Sequence, residues 1–360
     1  MGRNGGEPEP VLGKEGARVP STAVAAPPSQ EDVGAAAAIA ADLRAALADL
    51  LFGQDALIAG LSTTLLAGGH VLLEGPPGVG KTLAARGLAR TLGGTFSRIQ
   101  CVPDLLPADL TGSTVFRRET GAFEVREGPL FAHVVLVDEL NRAMPRTQSA
   151  LLEAMAEGQV TIDGHTLSLP QPHVVIATQN PLDGEGTYPL PLSERDRFLL
   201  QLRVGYPPPE RERAMLAASG SGRIGLETLP LTPAAPAQAA SAGSESPDML
   251  RRWLAARRAV RTAVTAGPAV SDYVYRLIAA TRAHPDLELG VSPRGGLLLL
   301  AAARAVAAQE GRAFVTPDDV QSCWLPVARH RIRPLASVEL EGFDPDALLQ
   351  RIAEETEVPR

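Results

Sequence analysis

Cysteines, aromatic residues and clustered basic residues are all scarce in this chain of 360 residues. The two cysteines, Cys101 and Cys323, lie far apart, which argues against a disulfide framework and a zinc site. The six histidines show no metal-ligand spacing. Aromatic residues make up 4% of the chain and the net charge is −7, so stacking platforms and basic clusters are both lacking. We therefore expect no nucleic-acid partner.

Long hydrophobic runs are also missing from the sequence. The longest apolar stretch, LLLLAAARAVAA, contains Arg304 and is too short to span a bilayer. The first residues, MGRNGGEPEP, do not have the apolar region of a secretory signal. We expect no transmembrane segment and a cytoplasmic location.

Composition and periodicity divide the chain into four parts. Residues 1–33 are rich in Gly, Pro, Ala and charge, and they predict a disordered tail. Residues 34–218 alternate short apolar strands with helical patterns, which indicates an α/β domain whose parallel sheet is covered on both faces. Residues 219–247 are rich in Pro, Ala and Ser and predict a flexible linker. Residues 248–360 are predicted to form a smaller all-α domain.

Local signals predict turns and helix starts within these parts. Asp163-Gly164, flanked by alternating apolar residues, predicts a β-hairpin, and Thr120-Gly121 is a weaker candidate for a second one. In the C-terminal part, Ser271 and Thr316 are the predicted N-cap residues of two helices.

One glycine-rich stretch, GPPGVGKT, fits the phosphate-loop pattern G-x-x-x-x-G-K-[ST]. Glycines allow consecutive backbone N–H groups to face phosphate oxygens, and the following helix adds its positive end. An apolar strand precedes the loop and a helical pattern follows it, as this function requires. Lys81 is expected to reach the β- and γ-phosphates and Thr82 to hold Mg²⁺. The residues predicted to bind the nucleotide are Gly75, Pro76, Pro77, Gly78, Val79, Gly80, Lys81, Thr82 and Leu83.

Two acidic residues follow a later apolar strand in the sequence VVLVDE. Asp138 is expected to hold the Mg²⁺ shell, and Glu139 to polarise an attacking water. Because a base is present, the pair favours ATP hydrolysis over nucleotide binding alone.

These motifs together resemble a known family. GPPGVGKT, VDELNRA, TQSALLEAM, IATQNP, GTYPLP, DRF, GYP and SPR are similar to the blocks of MoxR-type AAA+ ATPases, over residues from about 35 to 335. The resemblance implies a five-stranded parallel core with a helical lid. It also implies a homo-oligomeric ring, usually a hexamer, with ATP between neighbouring subunits. Proteins with von Willebrand factor A domains are the partners that it implies, and protein remodelling is the activity.

The resemblance also assigns roles to three residues outside the phosphate loop. Asn180 resembles sensor 1, which orients the attacking water together with Glu139. Arg294 in SPR resembles sensor 2, a lid arginine that reaches the γ-phosphate. Arg197 in DRF resembles the arginine finger, which acts on the neighbouring subunit's ATP. With Glu139, these are the predicted catalytic residues.

The sequence departs from the family pattern beside the finger. Relatives usually read Glu-Ala-Gln-Leu-Asp-Arg-Phe, whereas residues 192–198 read LSERDRF. Arg195 is therefore a second candidate, although Arg197 keeps the family's flanking residues. Arg142 is a further candidate for the subunit interface.

Four other functions compete with a remodelling ATPase. A helicase is disfavoured by the acidic balance, and a GTPase by the lack of an Asn-Lys-x-Asp motif. A chelatase-like motor of the same branch stays open. A nucleotide-gated scaffold with little turnover is disfavoured because the predicted hydrolytic residues are all present.

Overall fold

The computed structural model describes residues 30–119, 121–180, 186–220 and 246–359. The tail predicted for 1–33 and the linker predicted for 219–247 therefore lie largely outside the described residues, as does Thr120 of the weaker turn. The first helix begins at Gln30, so residues 30–33, which the sequence placed in the tail, belong to a helix in which Val33 is fully buried.

Eleven strands are present in the described part of the chain. They are β1 (Val71–Glu74), β2 (Phe96–Gln100), β3 (Gly112–Arg117), β4 (Ala122–Glu127), β5 (Val134–Asp138), β6 (Gln159–Ile162), β7 (His165–Ser168), β8 (Val174–Gln179), β9 (Leu200–Arg203), β10 (Leu287–Leu289) and β11 (Arg333–Pro334).

Helices cover the sheet and form the C-terminal part. Those of the α/β part are α1 (Gln30–Ala48), α2 (Asp55–Ala67), α3 (Lys81–Leu92), α4 (Pro107–Thr111), α5 (Pro145–Glu157), α6 (Leu192–Arg195) and α7 (Pro209–Gly220). Those of the C-terminal part are α8 (Pro247–Thr262), α9 (Pro268–Ala283), α10 (Pro293–Gln309), α11 (Pro317–Ala328), α12 (Ala336–Leu340) and α13 (Pro345–Glu355).

The predicted α/β core is confirmed as a five-stranded parallel sheet of order β2-β5-β8-β1-β9. Successive residues of a strand point to opposite faces, and both faces here are buried. Leu73 faces a core shared with α1, α2, α3 and the C-terminal helices. Leu72 faces a second core shared with α5 and the β6–β7 hairpin. Burial on both faces explains why the strands read as continuous apolar runs.

Both predicted hairpins form. β6 and β7 pair antiparallel around Asp163-Gly164, whose φ angles of 47° and 85° are the left-handed pair that a two-residue hairpin turn requires. β3 and β4 also pair antiparallel, with Gly121 in the turn at φ 65°.

The C-terminal part corrects two predictions. Helix α9 begins at Pro268 after Gly267, not after Ser271, because proline at the first helical position fixes φ for a helix start one turn earlier. Ser271 instead donates its backbone N–H to Gly267 inside that first turn. This part is also not purely helical, because β10 and β11 pair antiparallel. The Thr316 cap is confirmed as a capping box with Asp319.

Candidate nucleotide site

The phosphate loop connects β1 to α3 at the carboxyl edge of the sheet. Gly78 and Gly80 have φ angles of 82° and 94°, so the loop turns back through conformations that glycine adopts without strain. Gly75 packs so closely on Val204 that a Cβ there would lie 2.0 Å from its carbonyl oxygen. Lys81 begins α3 and donates from Nζ to the carbonyl oxygen of Gly75 at 2.7 Å. The loop therefore ends in a twelve-residue helix whose free N–H groups face the loop.

The acidic pair and the predicted sensor follow two strands next to this loop. Asp138 ends β5 and Glu139 follows it, while Asn180 follows β8, which lies between β5 and β1. Neighbouring strands are about 4.8 Å apart, so the three segments share one edge. Ligands bind at this edge in open parallel sheets.

Thr178 of β8 joins the acidic residues to the sensor strand. Its hydroxyl donates to Oδ1 of Asp138 at 3.3 Å and accepts the backbone N–H of Glu139 at 2.9 Å. Glu139 has φ 56° and ψ 49°, a left-handed conformation that is uncommon for a residue with a side chain. Such conformations cluster at functional sites. The Thr178 contact holds Glu139 in this conformation.

Basic and amide side chains surround the two carboxylates. Arg98 of β2 forms an ion pair with Asp138 at 2.7 Å. Gln100 donates to Oε2 of Glu139 at 3.0 Å, and Arg142 lies 3.1 Å from the same oxygen. No functional role was predicted from the sequence for Thr178, Arg98 or Gln100. The polar end of the β8 run was a signal for Thr178, whereas the other two depend on β2 lying beside β5.

The site's chemistry suits Mg²⁺ and a nucleotide. Mg²⁺ is usually held by one or two protein oxygens together with substrate phosphates. In the described ranges no group of three or more His, Cys, Asp and Glu residues could hold a metal by itself. Asp138, which is 12% exposed at its side chain, and Thr82 in the first turn of α3 are the groups that fit this requirement.

Arg197 lies near the amino ends of the parallel strands, at the end of the sheet opposite the phosphate loop. It precedes β9, and the nearby N–H of Leu199 donates to the carbonyl oxygen of His70, the residue before β1. A four-residue strand separates this edge from the phosphate loop by about 13 Å. The Arg197 side chain donates from Nη1 to the carbonyl oxygen of Leu152 in α5 at 2.8 Å. The structure therefore does not bring Arg197 to its own phosphate loop.

Arg195 has different surroundings. Burial lowers the pKa of its guanidinium, and the charges of Glu74 and Glu339 oppose that shift. Glu74 immediately precedes the phosphate loop, and Glu339 lies in α12. Arg195 is thus influenced by carboxylates of its own subunit, whereas the Arg197 side chain contacts α5.

Arg294 is exposed in the first turn of α10. Ser292, two residues earlier, is the N-cap of this helix and accepts the N–H of Gly295 at 3.0 Å. The charge of Arg294 adds to the lowering of the Arg331 pKa that burial causes.

Comparison with known proteins agrees with this arrangement. The family model of the ATPases associated with various cellular activities (AAA) matches residues 70–200, and the AAA lid domain matches residues 279–352. Chaperone MoxR1 of Mycobacterium tuberculosis is 39% identical over 364 residues, covering 97% of this chain and 91% of that protein. The chain belongs to the MoxR-type AAA+ ATPases.

Two further relatives support this membership. The uncharacterised protein YeaC of Bacillus subtilis is 43% identical over 295 residues, covering 82% of this chain and 87% of YeaC. A Cytophaga hutchinsonii protein proposed to be an ATPase has a solved structure that matches with a TM-score of 0.80 at 31% identity. That match covers 92% of this chain and 98% of the other. In this MoxR-type chain, residues 279–352 match the lid. Among the described residues, no helix is both long and apolar enough to cross a bilayer.

Proposed function

We propose that this MoxR-type ATPase hydrolyses ATP with Mg²⁺ in a homo-oligomeric ring and uses the energy to remodel or activate partner proteins. The observation that carries the proposal is the convergence of three segments on adjacent strands β5, β8 and β1. These segments are the phosphate loop, the pair Asp138–Glu139 and Asn180. Neither a passive scaffold nor a simple nucleotide binder needs a strained acidic residue at this edge.

Each group has a distinct role in the proposed reaction. The N–H groups of the loop and the Lys81 ammonium bind the phosphates, and Thr82 and Asp138 hold Mg²⁺, which neutralises charge on the phosphate oxygens. Glu139 accepts a proton from the attacking water, and Asn180 orients that water. Gln100 and Arg142 hold the carboxylate of Glu139 through its Oε2 atom.

The position of Arg197 supports the proposed ring. Arg197 lies near the amino ends of the parallel strands, whereas the phosphate loop of the same subunit lies at their carboxyl ends. We therefore expect Arg197 to reach a phosphate in another subunit. We therefore assign Arg197 as the finger in a ring, which we expect to be hexameric as in the family. Arg294 of the lid completes the site within one subunit. We place the protein in the cytoplasm.

The partner proposal rests on relatives. MoxR1 is named a chaperone, and the family resemblance suggests partners with von Willebrand factor A domains. An ATP-dependent complex with such a domain, lost in the Lys81→Ala variant, is the expected result of a pull-down. A domain that binds equally well to both forms would contradict ATP-driven remodelling of that partner.

Phosphate release tests the catalytic proposal. We expect Glu139→Gln to bind ATP and to assemble as the unchanged protein does, but to lose turnover by about two orders of magnitude or more. Glu355→Gln, the same chemical change at an exposed position of α13, is the matched control and should keep full turnover. If the unchanged protein and Glu139→Gln were equally inactive in an assembled ring, a nucleotide-gated scaffold would be the better description.

A further inference from the structure

The carboxylate of Asp196 connects the α/β core to the lid at two points. Its Oδ1 lies 2.7 Å from Nε of Arg331, and its Oδ2 accepts a hydrogen bond from the hydroxyl of Ser292 at 3.2 Å. Arg331 follows α11 and Ser292 caps α10, so both partners belong to the lid. The contacts join residues 135 and 96 positions apart in the sequence.

Arg331 is enclosed at this junction. Its side chain is 1% exposed, and it also donates to backbone carbonyl oxygens of Asp196 and Leu199, each at 3.2 Å. Burial lowers its pKa to about 10, while Asp196 opposes the shift, so the guanidinium remains charged at neutral pH. A buried charge of this kind needs a partner. Within the described ranges, Asp196 is the carboxylate that forms its ion pair.

The same carboxylate lies between two segments that carry proposed ATP-contacting arginines. Asp196 is bonded through the chain to Arg197, the proposed finger for the neighbouring subunit. Ser292 precedes by two residues Arg294, which is proposed to sense ATP in its own subunit. A displacement of the lid that moves Ser292 and Arg331 must therefore move Asp196, or break both of its contacts.

We propose that Asp196 is a positioning residue that couples the lid of one subunit to the finger it presents to the next. This inference rests on the proposed function, in which Arg197 acts between subunits and Arg294 acts within one. Asp196 contacts Arg331 and Ser292 through its carboxylate. It acts by setting where Arg197 lies when the lid has closed on ATP.

A second link between core and lid provides a matched control. Asp346 of α13 forms ion pairs with Arg203 at 2.9 Å and with Arg329 at 3.0 Å. Its side chain is 22% exposed and that of Asp196 is 18% exposed, so the two carboxylates are similarly buried. Asp346, however, is adjacent to neither proposed ATP-contacting arginine. If Asp196 only attached the lid to the core, Asp196→Asn and Asp346→Asn would have the same effect on the kinetics of ATP hydrolysis.

ATP titrations of the assembled ring give the first test. In Asp196→Asn we expect kcat to fall about 10- to 100-fold, the cost of a finger displaced by about 1 Å. KM should stay within about twofold, and the Hill coefficient should fall towards about 1 as the subunits lose coupling. Asp346→Asn should keep the Hill coefficient of the unchanged protein. An equal loss of cooperativity in both variants would overturn the proposal.

Mixed rings locate the defect. A Glu139→Gln subunit cannot hydrolyse ATP, but it offers an intact finger to its neighbour. Adding Glu139→Gln to Asp196→Asn should therefore raise turnover per Asp196→Asn subunit by about threefold or more, given a finger defect of the size above. No rise would overturn the coupling. Arg197→Ala mixed in the same way is the reference, because failure of that mixture would instead contradict the finger assignment.

A milder variant covers the case in which Asp196→Asn does not fold. Ser292→Gly removes the hydroxyl that contacts Oδ2 of Asp196 while keeping a residue that is tolerated at an N-cap. The Arg331 ion pair remains. We expect this variant to assemble and to show a reduced Hill coefficient with little change in KM. Unchanged cooperativity in Ser292→Gly would count against the proposal as directly as the first test.

Discussion

The Nε atom of Arg98 lies 2.7 Å from Oδ2 of Asp138, so the carboxylate proposed to hold Mg²⁺ already has a cationic neighbour. Arg98 comes from β2, the edge strand beside β5, and its side chain is 27% exposed. A fixed positive charge at this position disfavours a second cation on the same carboxylate. Arg98 therefore sets how much Mg²⁺ the site requires.

We expect Arg98→Gln to lower the Mg²⁺ concentration for half-maximal ATP hydrolysis. Partial exposure screens the pair, so the effect should be about 1 kcal/mol, or about fivefold. Arg98→Lys, which keeps the charge, is the matched control and should stay near the unchanged protein. A higher Mg²⁺ requirement in Arg98→Gln would show that the arginine orients Asp138 more than it competes with the metal.

The two arginines of the segment before β9 should differ in their effect on turnover. Arg197→Ala should bind ATP normally and lose turnover by about a hundredfold or more, as expected for a finger. Arg195→Ala should keep most of its turnover, because the charges that act on Arg195 are those of Glu74 and Glu339 in its own subunit. Phosphate release and binding of a fluorescent ATP analogue measure the two effects. Normal turnover in Arg197→Ala, with loss in Arg195→Ala, would move the finger to Arg195.

The sequence predicted those features whose backbone depends on residues close together in the chain. The phosphate loop and the Asp163-Gly164 turn are two such features, because the glycines in each and their immediate neighbours determine the backbone conformation. Helix starts depend on competing local signals: Ser271 has the chemistry of an N-cap, but Gly267-Pro268 starts the helix earlier.

The contacts that sequence reasoning missed are long-range. Arg98 reaches Asp138 across 40 positions, and Arg331 reaches Asp196 across 135. Such pairs depend on which strands are neighbours and on how the lid packs, and neither is encoded in the spacing of motifs. The short strands β10 and β11 were missed for the same reason, since each gains its regular structure only by pairing with the other.

The lid contains a carboxylate whose loss should measurably destabilise it. Asp319 is 3% exposed at its side chain and accepts two hydrogen bonds from Arg312, at 2.7 and 2.8 Å, while completing the capping box with Thr316. Burial alone would raise its pKa, but the hydrogen bonds from Arg312 and Thr316 outweigh burial and hold the pKa below its ordinary value. This contribution to stability is therefore present above about pH 4 and is lost as pH falls further.

We expect Asp319→Asn to lower the free energy of unfolding of the lid by about 2 kcal/mol, the scale of a charge-assisted hydrogen-bonded pair. Urea unfolding followed by tryptophan fluorescence reports on this region, because Trp324 is buried in α11, the helix that Asp319 helps to cap. Asp318→Asn, at an exposed position of the same helical turn, is the control and should change little. Equal effects of the two substitutions would contradict a specific role for the Asp319 pair.

Two histidines at the amino ends of β1 and β8, His70 and His173, should make the stability of the fold sensitive to acid. The N–H of Val175 donates to Nδ1 of His70 at 3.0 Å, and Nε2 of His70 lies 3.1 Å from the carbonyl oxygen of Met155. The ring can satisfy both contacts only when it is neutral with its hydrogen on Nε2. Burial lowers the pKa of His70 to about 3, and it lowers that of His173, whose ring is 5.9 Å away, to about 4.

The direction of the pH effect follows from these shifts. A histidine in the unfolded chain takes up a proton below about pH 6.5, whereas these two stay neutral in the folded chain to much lower pH. Their contribution is therefore complete above about pH 6.5 and declines as pH falls towards their folded pKa values. Between about pH 7.5 and pH 5, each ring that stays neutral in the folded chain should lower the free energy of unfolding by about 2 kcal/mol.

Replacing His70 isolates its share of this loss. In His70→Asn the amide oxygen can still accept the Val175 N–H, but the side chain no longer titrates. Urea unfolding at both pH values should then show a smaller drop in the free energy of unfolding than in the unchanged protein, by about 2 kcal/mol. His165→Asn, at an exposed position of β7, should show the full drop. A full drop in His70→Asn as well would mean that His70 does not stay neutral in the folded chain.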